Sequence, residues 1–135
     1  MYSHDFAKVW YKVSRDMRTH MDTHLAPAIT ESQLNVLEFI MNHEQVKPSD
    51  LIEYVATTPA AITTLMDRME KNGLIVRERD TSDRRIVWLR LTEKGEAEGK
   101  RGLEIRKQFL EDYLAKISTH NQQLLVYLLG KVSNL

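Results

Sequence analysis

A mainly α-helical fold with one small β-hairpin is the architecture that the sequence predicts, and three observations support it. Apolar residues recur every three or four positions through most of the 135 residues, as on amphipathic helices. Between residues 75 and 91 the spacing falls to two, which is typical of strands. Threonine, proline and glycine divide the helical stretches at positions where helices begin and end. We therefore expect six helices, with the hairpin inserted after the fourth.

The first two helices are predicted from an apolar stripe and a capping pattern. Pro27 follows the first helix, which should run from about residue 6 to residue 25 with the apolar face Phe6, Trp10, Val13, Met17 and Met21. Thr30 should begin the second helix, because Thr30 and Gln33 have the spacing of a capping box.

Two further helices are separated by a short polar turn. Pro48 indicates the start of a short third helix, and Thr58 followed by Pro59 indicates the start of the fourth, which Asn72 and Gly73 end. The buried face of the fourth helix is expected to contain Ile62, Leu65, Met66 and Met69. Its exposed face is expected to contain Ala60, Thr64, Asp67, Arg68 and Lys71.

The hairpin and two more helices complete the chain. Strands are expected at Ile75–Arg79 and Ile86–Leu91, joined by a polar link. Thr92 should cap a helix that continues to about Ile117, and the last helix should begin at Ser118 or at Thr119, which has capping-box spacing with Gln122. Three glycines either bend the fifth helix or let it pack closely on a neighbour: Gly95, Gly99 and Gly102.

The composition excludes several classes of protein. The formal net charge is zero, which argues against a generally basic nucleic-acid coat and against polybasic membrane binding, although local charge still permits contact with DNA. The absence of cysteine excludes disulfides and cysteine-based zinc sites. Apolar runs are too short for a membrane span, and the N-terminal pattern is not that of a signal peptide. We expect a cytoplasmic protein without a membrane partner.

The middle of the chain has the element order of a winged helix-turn-helix. In that arrangement the second of two successive helices enters the major groove of DNA. Here its first turns expose small residues that suit phosphates and base edges, and its later turns expose two cations. Because the exposed front has no Asn, Gln or Arg, we expect modest direct base specificity. The candidate DNA-binding residues of this segment are Thr57, Thr58, Pro59, Ala60, Thr63, Thr64, Arg68 and Lys71.

The link of the hairpin is the second candidate DNA contact. Arg84 and Arg85 at its tip can reach a minor groove, where narrow A·T-rich segments attract guanidinium groups. Asp83 can hold one of these arginines through a bidentate pair. A solvated surface hairpin without a partner is the plainer alternative. Further positive charge along the strands is expected from Arg77, Arg79 and Arg90.

Several segments resemble the MarR family of transcriptional regulators. Residues 29–37 resemble the start of that family's domain, and residues 65–75 resemble the end of its recognition helix. Residues 83–85 and 89–95 are similar to its wing and to the segment after the wing. The resemblance therefore covers about residues 29–95, with the motifs in the family's order.

The resemblance implies roles for particular residues. Asp83 and Arg85 would be the pair that sets the minor-groove contact, and Arg68 would be the arginine late in the recognition helix. Thr64 stands where the family often has an arginine. The resemblance also implies an intertwined homodimer that binds a pseudo-palindromic operator, usually as a repressor released by a small ligand.

The expected organisation is one MarR-like domain over residues 1–135. Residues 28–95 would form the DNA-binding lobe, and residues 1–27 and 96–135 would form the helical dimerisation region. The identity of an effector pocket is left open, with Trp10, Tyr11, His20 and His24 as candidates beside ordinary core or interface packing.

Other functions are weighed against this one. His20 and His24 share a helix face and could begin a metal site, but spacing gives no third ligand, so surface or pocket histidines are favoured and no metal or other cofactor is expected. The alternative function is a winged-helix module for protein interaction or DNA architecture, without an effector. Catalysis is not expected, because phosphate loops, HExxH motifs and nucleophile elbows are absent from the sequence.

Overall fold

The computed structural model of the protein describes residues 1–55 and 57–135, and it confirms a mainly α-helical fold with one antiparallel hairpin. In the hairpin, Ile75 lies opposite Leu91 and Arg79 lies opposite Val87. The elements are α1 (Ser3–Leu25), α2 (Glu31–Met41), α3 (Pro48–Tyr54), α4 (Pro59–Lys71), β1 (Ile75–Arg79), β2 (Val87–Leu91), α5 (Glu93–Leu114) and α6 (Thr119–Ser133).

Three predicted boundaries were wrong by one to three residues. The first helix begins at Ser3 instead of Phe6, and the fifth helix ends at Leu114 instead of Ile117. The second strand begins one residue after Ile86, because Ile86 belongs to the turn: its N–H donates to the carbonyl of Asp83 at 3.0 Å. The hairpin link is therefore one residue longer than expected.

Threonine side chains begin three of the helices, as the sequence predicts. The Thr30 hydroxyl accepts from the N–H of Gln33 at 3.2 Å while the Gln33 side chain accepts from the N–H of Thr30 at 3.1 Å, which completes the capping box. Thr58 accepts from the N–H of Ala61 at 3.2 Å, and Thr92 caps α5 in the same way. Each such cap typically stabilises a helix by about 1 kcal/mol.

The start of α6 differs from the capping-box prediction. The hydroxyl of Ser118 accepts from the N–H of Asn121 at 3.2 Å, so Ser118 is the N-cap and the predicted pair of Thr119 with Gln122 is wrong. The amide of Gln122 instead donates to the carbonyls of Leu114 at 3.0 Å and Ile117 at 3.1 Å. It satisfies carbonyl groups that the end of α5 leaves without a helical partner.

The glycines of α5 allow that helix to pack directly on the lobe. All three are buried, and a Cβ on Gly95 would overlap the carbonyl oxygen of Leu74. A Cβ on Gly102 would lie 2.6 Å from a methyl group of Leu34, and one on Gly99 would lie 2.8 Å from the sulfur of Met41. Of the two predicted roles, close packing is confirmed for these glycines.

The hydrophobic core lies inside the lobe, beneath α2, α4 and the hairpin. The C-terminal end of α1 completes it with Met21 and Leu25. Val46, before α3, accepts from the N–H of Leu89 at 2.8 Å and so joins this segment to β2. Leu65 is only partly buried, because it faces a groove between α4 and α2. In α6, all of whose residues are described, none is buried within the protomer.

Candidate nucleic-acid interface

The exposed face of α4 presents small residues first and cations last. The exposed residues near its N-terminal end are Thr58, Pro59, Ala60, Thr63 and Thr64, and Thr57 before them is half-buried. Arg68 and Lys71 are exposed in its last turn. The hydroxyls of Thr63 and Thr64 donate to the carbonyls of Pro59 at 3.1 Å and Ala60 at 3.2 Å. Their oxygen lone pairs and methyl groups are thus the groups that α4 presents to a partner.

A groove of about 530 Å³ runs between α4 and the N-terminal end of α2. Thr64 and Arg68 form one side of it, and Thr30 and Ser32 form the other. Sequence reasoning assigned no binding role to Ser32. The signal that could have found it is its place in the first turn of α2, where backbone N–H groups attract phosphate.

Arg77 of β1 is bound to α4. Its guanidinium contacts Asp67 at 2.6 Å and Glu70 at 3.0 Å. These hydrogen bonds raise the pKa of Arg77, and the bond from Arg77 lowers the pKa of the Glu70 carboxyl. Arg77 therefore joins the wing to α4 and neutralises carboxylates on the exposed side of that helix.

Of the three arginines expected to add positive charge along the strands, Arg77 and Arg90 are paired with carboxylates. Arg77 is bound as described, and Arg90 pairs with Glu78 at 3.1 Å across the hairpin. Arg79 donates to the carbonyl of Arg84 at 2.8 Å. The carboxylates that pair with Arg77 and Arg90 lie on α4 or across the hairpin, and their separation from the arginines in the sequence does not identify them as partners.

The tip of the hairpin holds one arginine in a fixed and exposed position. Arg85 donates from Nε at 3.0 Å and from Nη2 at 2.9 Å to the two carboxylate oxygens of Asp83, and its side chain is 91% exposed. The bonds from Arg85 lower the pKa of the Asp83 carboxyl, and the same pair raises the pKa of Arg85. Arg84 is exposed beside them. The bidentate pair predicted from the sequence is present.

A second groove, of about 540 Å³, lies along α1 against α5. It contains two of the effector-pocket candidates, His20 and His24, with Phe109 on the α5 side. The other two, Trp10 and Tyr11, lie outside it and are exposed in the protomer. Of the four candidates, the groove therefore brings together only His20 and His24, whereas Trp10 and Tyr11 belong to a different surface.

The two histidines stack on each other instead of converging on a third ligand. Their ring centroids are 3.9 Å apart, and Nδ1 of His24 lies 2.8 Å from the carbonyl oxygen of His20. Burial, followed by the charge of His24, lowers the pKa of His20, while Asp112 acts in the opposite direction. Within residues 1–55 and 57–135, no three His, Asp or Glu side chains are grouped so as to hold a metal ion.

Comparison with known proteins identifies the family. The MarR family model matches residues 29–87. The transcriptional regulator HosA of Escherichia coli O157:H7 is 34% identical over 113 residues, which cover 82% of each chain. The chain belongs to the MarR family. Its relatives are transcriptional regulators, and the predicted winged helix-turn-helix is the fold of this family.

Two further similarities extend over most of this MarR family chain. The transcriptional repressor MdtR of Bacillus subtilis (strain 168) is 28% identical over 125 residues, covering 93% of this chain and 79% of MdtR. A mutant of MarR from E. coli, solved in complex with operator DNA, has a TM-score of 0.79 and 24% identity, covering 98% of this chain and 97% of that one. In the described part of the chain, no helix combines the length and apolar character needed to cross a bilayer.

Proposed function

We propose that this protein is a homodimeric, sequence-specific double-stranded DNA-binding repressor of transcription, released by a small-molecule effector. The observation that supports it most is the arrangement on one lobe of an exposed recognition helix and an Asp83-ordered, exposed Arg85. Helices of this kind read the major groove, and arginines on a wing suit the adjacent minor groove.

The dimer is supported by two apolar surfaces that one protomer leaves in water. Phe6 and Trp10 of α1 stack at 6.2 Å and are each about half exposed. In α6, Val126 is 63% exposed, Tyr127 57% and Val132 73%. Contiguous exposed apolar residues of this kind are typical of an interaction surface. We infer that the partner is a second copy, because each copy would present the same surfaces in an isologous contact.

A pseudo-palindromic operator follows from such a dimer. Two recognition helices related by a two-fold axis would read two inverted half-sites about one helical turn apart. The related MarR structure contains operator DNA, and the relative MdtR is named as a repressor. These similarities support DNA as the partner and repression as the outcome of binding.

The groove between α1 and α5 supports the effector part of the proposal. It lies between α1 and α5, two helices of the predicted dimerisation region, so a ligand in it would change the angle between them and with it the distance between the two lobes of the dimer. Binding to two half-sites needs a set distance between the recognition helices, and a ligand that favours another distance reduces DNA affinity. We place the effector at His20, His24 and Phe109.

The proposal is tested by selecting bound sequences from a random duplex pool with the full chain. We expect a two-fold symmetric consensus whose half-sites are about ten base pairs apart. The matched control is the same selection with Arg85→Ala, in which the A·T preference at the flanks should be lost. A pool that does not enrich any sequence would contradict sequence-specific binding.

A second candidate function is a winged-helix module for protein interaction or DNA architecture. The zero net charge and the internal pairing of Arg77 and Arg90 favour it, since they limit the charge available for DNA. Such a protein would retain duplexes without a consensus or would not retain them. The same selection therefore separates the two functions.

A further inference from the structure

Asp80, at the start of the link between the strands, accepts hydrogen bonds on both carboxylate oxygens. Oδ2 accepts from the backbone N–H groups of Ser82 at 2.9 Å and Asp83 at 2.8 Å, which forms a tight turn. Oδ1 accepts from the indole N–H of Trp88 at 3.0 Å. Because Trp88 is half-buried in β2, Asp80 ties the turn to the strand.

These bonds fix the backbone from which the wing pair projects. Asp83 is held at its N–H by the Asp80 carboxylate and at its carbonyl by the N–H of Ile86, at 3.0 Å. The N–H of Asp80 also donates to the carbonyl of Ile86 at 2.9 Å, which closes the link. The Asp83 carboxylate therefore has a set position from which it orients Arg85.

The charge of Asp80 strengthens this arrangement. The hydrogen bond from Trp88, followed by those from the backbone of Asp83 and Ser82, lowers the pKa of the Asp80 carboxyl below its usual value. At neutral pH it is ionised, and hydrogen bonds to an ionised acceptor are stronger than those between neutral groups.

We propose that Asp80 and Trp88 are positioning residues for DNA binding, whose hydrogen bond holds the link in the conformation that presents Arg85. This inference rests on the proposed function, since it gives the two residues a role in DNA affinity. A loop that is ordered before binding loses less conformational entropy when it binds. Loss of the indole donor should therefore weaken binding without removing a phosphate contact.

The experiment compares Trp88→Phe, Asp80→Asn and the double variant in DNA binding at several salt concentrations. Phenylalanine keeps an aromatic ring and removes the N–H donor. Asparagine keeps one acceptor oxygen, which can still accept from the N–H groups of Ser82 and Asp83. Its NH2 group replaces the other oxygen and cannot accept from the indole N–H of Trp88. Thr81→Ala is the matched control, because Thr81 is exposed in the same link and its hydroxyl is not among the hydrogen-bonding groups of the described residues.

We expect Trp88→Phe to lose about three- to tenfold in affinity and Asp80→Asn to lose at least as much, because it also weakens the charge-assisted bonds to Ser82 and Asp83. The double variant should lose no more than Asp80→Asn, because the indole bond is already absent from that variant. The dependence of log affinity on log salt should stay that of the unchanged protein, whereas Arg85→Ala, which removes one cation from each protomer of the dimer, should reduce its slope by about two. Thr81→Ala should change affinity less than about twofold. Additive losses, a reduced slope, or unchanged affinity in Trp88→Phe would overturn the positioning role.

A measurement without DNA separates this inference from the proposed function. Of the two indole N–H signals of the protein, the one from Trp88 is assigned by its loss in Trp88→Phe, and Asp80→Asn should accelerate hydrogen exchange at that N–H while Thr81→Ala should not. If the unchanged protein binds no duplex, the proposed function and the role of this bond in binding both fail, while slow exchange still reports the bond itself. If Asp80→Asn leaves exchange unchanged in a protein that binds DNA, only the positioning inference fails.

Discussion

The recognition helix and the wing differ in how much of their polar chemistry is already used within the protein. On α4, the hydroxyls of Thr63 and Thr64 donate to the helix backbone, and Asp67 is paired with Arg77. On the wing, Arg85 is held by Asp83 but keeps an almost fully exposed side chain. The comparison indicates that the first turns of α4 contribute mainly shape and apolar contact, whereas charge comes from Arg68 and Lys71 at its end and from the wing. Substitutions on the two elements measure these contributions separately.

The largest effect is expected from Arg85→Ala. Because Arg85 is an exposed and oriented cation on the wing, its removal should reduce DNA affinity roughly ten- to a hundredfold, while the melting temperature changes little because exposed pairs contribute little to stability. Fluorescence anisotropy with the selected duplex and thermal denaturation measure the two quantities. Lys107→Ala, an exposed cation on α5, is the control and should bind as before. Equal losses in the two variants would contradict the special role of the wing.

A smaller loss is expected from Arg77→Ala. This change releases the wing from α4 and leaves Asp67 and Glu70 unpaired, so that two negative charges face the phosphates, and we expect about a three- to tenfold loss of affinity. Adding Asp67→Asn and Glu70→Gln should restore the part of the loss that comes from repulsion. Unchanged affinity in Arg77→Ala, measured with the same duplex, would show that the ion pairs do not position the two elements for DNA.

A gain of affinity is expected from Thr64→Arg. Thr64 lies on the exposed face of α4, beside Arg68 and the groove to α2. A cation there should raise affinity about threefold and, because the dimer carries two copies, increase the salt slope by about two. The control is Thr119→Arg, which adds the same charge at the start of α6. If both variants gain equally, the gain is a net-charge effect and α4 does not lie in the groove of the DNA.

The smallest effect concerns pH and the wing pair. Because Arg85 lowers the pKa of Asp83, the stabilisation from this pair is fully present at any pH above the pKa range that is usual for aspartate. It is lost only as the pH falls through the lowered pKa. Carbon NMR of the Asp83 carboxyl should show this titration, and Arg85→Ala should move it up toward the ordinary value. An unshifted titration in the unchanged protein would mean that the pair is not formed in solution.

The fold was predictable where the signals are local. The strand Ile75–Arg79, the caps at Thr30 and Thr58, and the pair of Asp83 with Arg85 depend on residues two or three positions apart. Partners of Arg77, seven and ten residues away in another element, depend on the angle between α4 and the hairpin, which periodicity does not give. The bond between Asp80 and Trp88, eight residues apart, was missed because it depends on the register of the hairpin and on the length of its link.

The glycines of α5 couple the tilt of that helix to the position of the lobe. Since Gly95 and Gly102 seat it directly on the backbone of Leu74 and the side chain of Leu34, the helix and the lobe move together. Its 22 residues span about 33 Å at the usual rise of an α-helix, so a tilt of roughly 5° at one end moves the other by about 3 Å. That distance is close to the rise of about 3.4 Å per base pair in duplex DNA. A rotation of a few degrees about the C-terminal end of α5 would therefore shift α4 by nearly one base pair along the DNA.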